Sequence, residues 1–207
     1  MMSVTLIIPA TSFLFRLITI IAVKVLLDLV QGEFMQMGAK EDESERFSHY
    51  IHKSFKKTAS LIAYTCKAVA LLSGANQSFQ EAAFQYGRNL GIAFQLVDDL
   101  LDFVSSQAEL GKPAATDLKL GLATAPVLFA CEKFPELNVM IMRRFGEPGD
   151  VERAYDFVMK VRPVFSYQLL MIVLIICYRA MVWTTQEFLR ESTRMKPYVI
   201  FRHSHNL

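Results

Sequence analysis

Cysteine is scarce in this sequence: Cys66, Cys131 and Cys177 are the only three, and they lie far apart. That spacing fits neither a zinc site nor the paired framework of a small secreted domain, so a reducing compartment is expected. A surplus of one charge is missing as well. Lys and Arg number 22 against 20 Asp and Glu, with no basic run, so the charge pattern gives no reason to expect a nucleic-acid partner. No stretch alternates in the manner of a strand, and no internal repeat or low-complexity tract is present. What is abundant is apolar: 53% of the 207 residues are hydrophobic, enough for one domain with a sizeable core.

Both ends are unusually apolar. Residues 4–23, "VTLIIPATSFLFRLITIIAV", carry only Arg16 as a charge, and no acid precedes Asp28. The run is nearly long enough to span a bilayer, for which about 20 residues are needed. Pro9 and Arg16 weaken a span, one arginine is too few for a transit peptide, and a membrane-associating or buried helix is the competing reading. Residues 164–178, "VFSYQLLMIVLIICY", are shorter and interrupted by Gln168, which favours a core helix or an interfacial segment.

Helical spacing dominates between the ends. Residues 24–37 run into Gly38, a candidate C-terminal cap. "DESE" at 42–45 has the form of a capping box, Asp42 with Glu45, ahead of a helical pattern that persists to Gly74. A further helix is expected from Ser78 to Val104, with Gly87 and Gly91 four apart where close packing against a neighbour would suit them. "GKPAATD" at 111–117 reads as a loop, Thr124 as the cap of the helix that follows, "EPGD" at 147–150 as a turn, and 151–160 as another helix. The expected fold class is all-α.

"QLVDDLLDF", residues 95–103, sets three aspartates among apolar residues. With Gln95 at zero and about 100° per residue, Asp98, Asp99 and Asp102 fall near −60°, +40° and −20°, so all four polar side chains share one stripe. Every other direction is apolar. Unpaired carboxylates are costly in such surroundings, so the stripe faces either cations or a water-filled cleft, against the bland alternative of a solvated acidic face. Magnesium suits carboxylates at i and i+4, because it takes oxygen ligands, retains waters and shares them with phosphate oxygens. An EF-hand is excluded by the absence of its alternating ligands and central glycine.

Four stretches occur in order: "GEFMQMG", "FKKTASLIAYTCKAVALLSG", "FQLVDDLLDF" and "GKPAATDLKLG". Together they resemble the trans-type polyprenyl diphosphate synthases over residues 25–160, and within that family the decaprenyl-type members that make the ubiquinone side chain. The resemblance implies an isoprenoid-synthase-type helical bundle, incomplete at both ends. It implies Mg2+ on Asp98, Asp99 and Asp102, gripping the allylic diphosphate. Lys57 and Thr58 match the family's Lys-Thr pair, Gln95 the glutamine one turn before the aspartates, and Lys112 the lysine of the Gly-Lys loop. These four are the implied catalytic contacts, and with Asp117 they form the implied substrate-binding set. Gln36 matches a family glutamine, and Glu33 is read as structural. His49 and His52 are read as solvated, while His203 and His205 have no third ligand in view.

Three departures accompany the matches. The family's first aspartate motif, with the basic residues that bind isopentenyl diphosphate, belongs upstream of residue 25 and is absent. Where many members carry a lysine, this chain has Leu122. From Val161 onward the resemblance stops. The expected organisation is therefore residues 1–24 as an apolar segment unlike the family, 25–160 as the synthase-like helical domain, and 161–207 as a divergent tail. Truncation, alternative splicing or translated intron would account for the ends. The expected function is addition of isopentenyl diphosphate to an allylic diphosphate, impaired here by the missing motif, in a mitochondrion, with a second prenyl synthase subunit or another copy as partner. The alternative is a non-catalytic subunit or regulator of a prenyltransferase.

Overall fold

The computed structural model describes the backbone of residues 4–37, 43–104 and 115–161, with isolated helical positions at 173, 175, 178, 182 and 186; side chains of residues 4–14, 37, 43 and 44 lie outside the described set. Among the described residues there is no strand. The order is α1 (Val4–Met37), α2 (Glu43–Ser54), a π-helical turn (Phe55–Ala59), α3 (Ser60–Leu72), α4 (Gln77–Val104), α5 (Thr116–Lys119), α6 (Ala125–Cys131), α7 (Glu136–Met142) and α8 (150–161). The long helix expected from residue 42 is real, but it is not uniform: the π turn interrupts it at the lysine pair. Such turns widen a helix locally and are frequent at functional sites.

Two further expectations shift by a residue or a role. Helix α4 begins at Gln77, one residue ahead of the expected start, because the Asn76 side-chain oxygen caps it by accepting from the Phe79 amide at 2.8 Å. Thr124 stands at the N-cap position of α6, yet its hydroxyl makes no capping bond; the Thr124 carbonyl accepts from Val127 and Leu128 instead. Gly38, Asp42 and the stretch 105–114 lie outside the described residues, as do Cys177, His203 and His205.

Packing of α3 on α4 rests on small residues. A Cβ at Gly91 would stand 2.5 Å from the Ala59 Cα, and one at Gly87 would stand 2.7 Å from the Ile62 carbonyl oxygen. No side chain fits at that separation, so the two backbones approach as closely as the glycines allow. Helix α1 comes against the π turn by the same device, since a Cβ at Gly32 would meet the Lys57 Cγ at 2.7 Å.

Two apolar clusters result. Phe103, Leu118, Val127, Leu137, Met140, Phe145 and Val158 join the end of α4 to α5–α8. Tyr50, Ala59, Ile92, Leu96 and Ala125 join α2, the π turn, α4 and α6. The second cluster matters for chemistry, because it forms the floor under the aspartate stripe. Among the residues whose side chains are described, no helix is long and apolar enough to cross a membrane; much of the apolar run at 4–23 lies outside that set.

Candidate functional site

The aspartate stripe opens onto a cleft of about 250 Å³ lined by residues from α1, α2, α4 and the α5–α6 connection. Asp98, Asp99 and Asp117 line it, with Gln36, Lys57 and Gln95, all singled out from the sequence. Tyr50, Lys53, Ser54 and Thr124 line it as well and were not. Thr58 stands one shell back, and Asp102 turns away to the backbone of α5. Lys112 lies outside the described residues.

Asp99 is the buried anchor, 4% exposed. The Tyr50 hydroxyl donates to one of its carboxylate oxygens and the Gln95 amide to the other, both at 2.7 Å. The Thr58 hydroxyl donates to the Gln95 side-chain oxygen at 2.7 Å, which fixes the orientation of that amide. Thr58, Gln95 and Asp99 therefore form one relay, in which Thr58 acts on Asp99 through the glutamine. Burial pushes the Asp99 carboxyl above its usual range, opposed by Tyr50, Gln95 and the charge of Lys53. The same burial, with the negative Asp99 beside it, raises Tyr50 so that it stays a donor.

Asp102 accepts from the amides of Thr116 at 3.3 Å and Asp117 at 3.2 Å. It thus holds the start of α5 against α4 and presents Asp117 to the cleft. Burial and the charges of Asp99, Asp102 and Asp98 push Asp117 up to about 6, with Lys53 opposing. Opposite the acids, Lys53 is lowered by burial and by Lys57, although Asp99 and Asp117 partly restore it.

The two lysines of the π turn go different ways. Lys56 bonds Asp28 at 3.0 Å and Gln31, an internal tie between the turn and α1. Burial pushes Asp28 up, but Lys56 and Lys24 bring it net below the usual carboxylate range. Lys57 pairs with Glu33 at 3.0 Å and donates to Gln36, which places its ammonium at the rim of the cleft. Glu33, read as structural, is thus a partner of Lys57. Of the histidines, His52 is exposed as expected, whereas His49 is half-buried and lines a pocket, which corrects its reading as solvated.

Among the described residues no group of three or more His, Cys, Asp and Glu is gathered as a closed metal cage. The donor set still fits a divalent cation that keeps waters and takes only one or two carboxylates, as magnesium does. Asp117 is raised by neighbouring negative charge that a cation would neutralise. The Thr124 hydroxyl, 5% exposed, lines the cleft and has no hydrogen-bond partner among the described residues. A buried polar atom in that state points to an occupant.

Lys57 falls out of helical phase with Tyr50 and Lys53 because the π turn begins between them. Tyr50 and Lys53 share a face at i and i+3 on α2, which was the available signal.

Comparison with known proteins shows the family and the fold. The polyprenyl synthetase family model matches residues 5–158. The chain belongs to that family. It is 61% identical over 140 residues to the human all trans-polyprenyl-diphosphate synthase PDSS1, covering 68% of this chain and 34% of that protein. It is 50% identical over 147 residues to decaprenyl-diphosphate synthase subunit 1 of Schizosaccharomyces pombe, covering 68% of this chain and 39% of that protein. The chain thus spans little more than a third of the length of these relatives. Among solved structures, the apo form of an Arabidopsis medium/long-chain length prenyl pyrophosphate synthase has 32% identity and a TM-score of 0.62, covering 85% of this chain and 64% of that one. A Caulobacter crescentus polyprenyl synthase complexed with calcium and isoprenyl diphosphate has 28% identity and a TM-score of 0.65, covering 80% of this chain and 52% of that one. The all-α isoprenyl-synthase fold is therefore established.

Proposed function

We propose that the cleft binds the diphosphate of an allylic prenyl diphosphate through magnesium, as one half of a polyprenyl diphosphate synthase site of the decaprenyl, ubiquinone-forming type. The observation that carries this is the juxtaposition of Asp98, Asp99 and Asp117 with Lys53 and Lys57 across one cleft, beside an unpartnered Thr124 hydroxyl. Asp98 is exposed and Asp99 anchored, so these two are the natural metal contacts, with Asp102 steadying Asp117 from behind. When bound, magnesium supplies positive charge against the departing diphosphate.

The chain's own residues do the rest. Lys57 and Lys53 set fixed positive charge at the position where negative charge develops, the kind of preorganised stabilisation on which such ionisations depend. Tyr50 and Gln95 keep Asp99 oriented and oppose the rise that burial imposes on its carboxyl. Isopentenyl diphosphate is the expected second substrate, and the mitochondrion the expected compartment, since relatives such as the hexaprenyl pyrophosphate synthases of Yarrowia lipolytica and Saccharomyces cerevisiae are named mitochondrial. The regulator alternative is not favoured, because these relatives carry synthase names.

Calorimetry with farnesyl diphosphate tests the reading. Binding should require magnesium and weaken in Asp98→Ala. Equal affinity with and without the metal would remove the site.

A further inference from the structure

A second pocket adjoins the cleft through Gln36, Tyr50, Lys53 and Leu122, and its lining is of opposite character. Arg46, His49 and Lys53 reach it from α2, and Arg144 from the turn after α7. Among its described lining residues there is no carboxylate. The three α2 residues stand at i, i+3 and i+7, one face of the helix, so their convergence follows from spacing. Its volume is about 70 Å³. A single water needs only about 10–15 Å³ of such space, so a small oxyanion has room there.

Arg144 is held there against its backbone preference. Arg144 and Phe145 both adopt left-handed φ, at 57° and 54°, where residues other than glycine are uncommon and strain is stored. Phe145 is anchored in the core, 5% exposed, so the backbone turns there to bury it. Gly121, itself at φ 74°, lies against Arg144: a Cβ there would stand 3.0 Å from the Arg144 Cβ and carbonyl oxygen. Arg46 is anchored separately, its guanidinium donating to the Asn138 side-chain oxygen. Arg46 is thus fixed by its partner, and the fold sets the backbone from which the exposed Arg144 side chain departs. Leu122, at the position where many relatives carry a lysine, lies on the wall shared with the cleft. Basic side chains of Arg46, Lys53 and Arg144 line the same pocket as Leu122.

We propose that the pocket lined by Arg46, His49, Lys53 and Arg144 is a metal-independent subsite for a phosphate or diphosphate oxyanion, separate from the magnesium-dependent aspartate cleft. Guanidinium groups suit this role because they donate in a planar fork matched to phosphoryl oxygens. Lys53 faces both pockets, whereas Arg46, His49 and Arg144 line only this one of the two, so variants at those three test the subsite apart from the cleft.

The test is calorimetry on the whole 207-residue chain in EDTA at constant ionic strength, titrated with inorganic phosphate, inorganic diphosphate and, separately, farnesyl diphosphate. Saturable binding of the inorganic anions is expected. Arg144→Gly keeps the left-handed backbone while deleting the charge, and should weaken that binding by about tenfold or more, as for the loss of one charge-assisted hydrogen bond. Arg144→Lys should recover part of it. Farnesyl diphosphate binding in EDTA no weaker than that of inorganic diphosphate would identify the end of a prenyl diphosphate as the ligand; binding of the inorganic ions alone would identify free phosphate or diphosphate. Asp98→Ala should leave the metal-free binding unchanged while weakening the magnesium-dependent farnesyl diphosphate binding, which keeps the two readings distinguishable. If Arg144→Gly loses its cooperative thermal transition, His49→Gln takes its place with the same expectation. No saturable heat from wild type in EDTA, or wild-type affinity in a folded Arg144→Gly and in His49→Gln, would overturn the proposal.

Discussion

Asp117 shows how a single residue is placed at a cost. Burial and three neighbouring carboxylates raise its pKa to about 6 from an ordinary 3.8. A carboxylate whose folded pKa is raised destabilises the fold when ionised: the penalty is complete above the folded value and disappears as pH falls through about 6 toward 3.8. Asp117→Asn should therefore raise the melting temperature of the metal-free chain at pH 8, with the gain shrinking between pH 6 and 4. The same variant should bind magnesium and farnesyl diphosphate less tightly. A melting temperature unchanged at pH 8 would show that the repulsion around Asp117 is already relieved. Stability traded for charge concentration is what a binding cleft requires.

Among the elements, the contact between the π turn and α4 decides whether the relay from Thr58 to Asp99 forms. Ala59 follows Thr58 directly, and Gly91 lies one turn before Gln95, so the Gly91–Ala59 approach sets the distance across which Thr58 reaches Gln95. Gly91→Ala introduces a methyl where only 2.5 Å is open to the Ala59 Cα. Overpacking of this kind costs about 1–3 kcal/mol. Urea denaturation should show a loss in that range, and magnesium-dependent diphosphate binding should weaken with it, because the helices move apart at the relay. A variant as stable as wild type would mean that the helices slide without cost.

At the level of the whole molecule, large apolar side chains remain on the surface. Phe15 is 74% exposed, Phe34 66% and Phe94 61%, on two different helices. Large exposed apolar side chains of this kind favour association where they adjoin one another. Sedimentation of the chain alone should detect species larger than a monomer, and a monomer at every concentration would remove the oligomer reading. The catalytic expectation belongs to the same scale. These 207 residues carry one aspartate motif where the family resemblance implies two, and removing even one preorganised charge-stabilising group costs about 10² to 10³ in rate. Incorporation of labelled isopentenyl diphosphate onto farnesyl diphosphate by the purified chain with magnesium should be far below that of a full-length relative. Efficient turnover by the chain alone would show that another group replaces the missing motif.

The sequence by itself determined the helical class, the long helix ending at Val104, the glycine pair at 87 and 91, and the aspartates on one stripe. All of these follow from the 3.6-residue period, which is local and legible without coordinates. Tertiary structure alone decided how the three aspartates divide their work. They are equivalent on a helical wheel, yet Asp99 is buried under Tyr50, Asp98 faces the cleft, and Asp102 accepts from the amides of α5. Nor does any local signal bring Lys53 opposite Asp117, or separate Lys56, tied to Asp28, from Lys57 at the cleft. The π turn at Phe55–Ala59 breaks the period on which sequence reading depends, and α1 selects between the lysines by supplying Asp28 to one and Gln36 to the other. Partners drawn from distant parts of the chain are set by packing, and packing has no period.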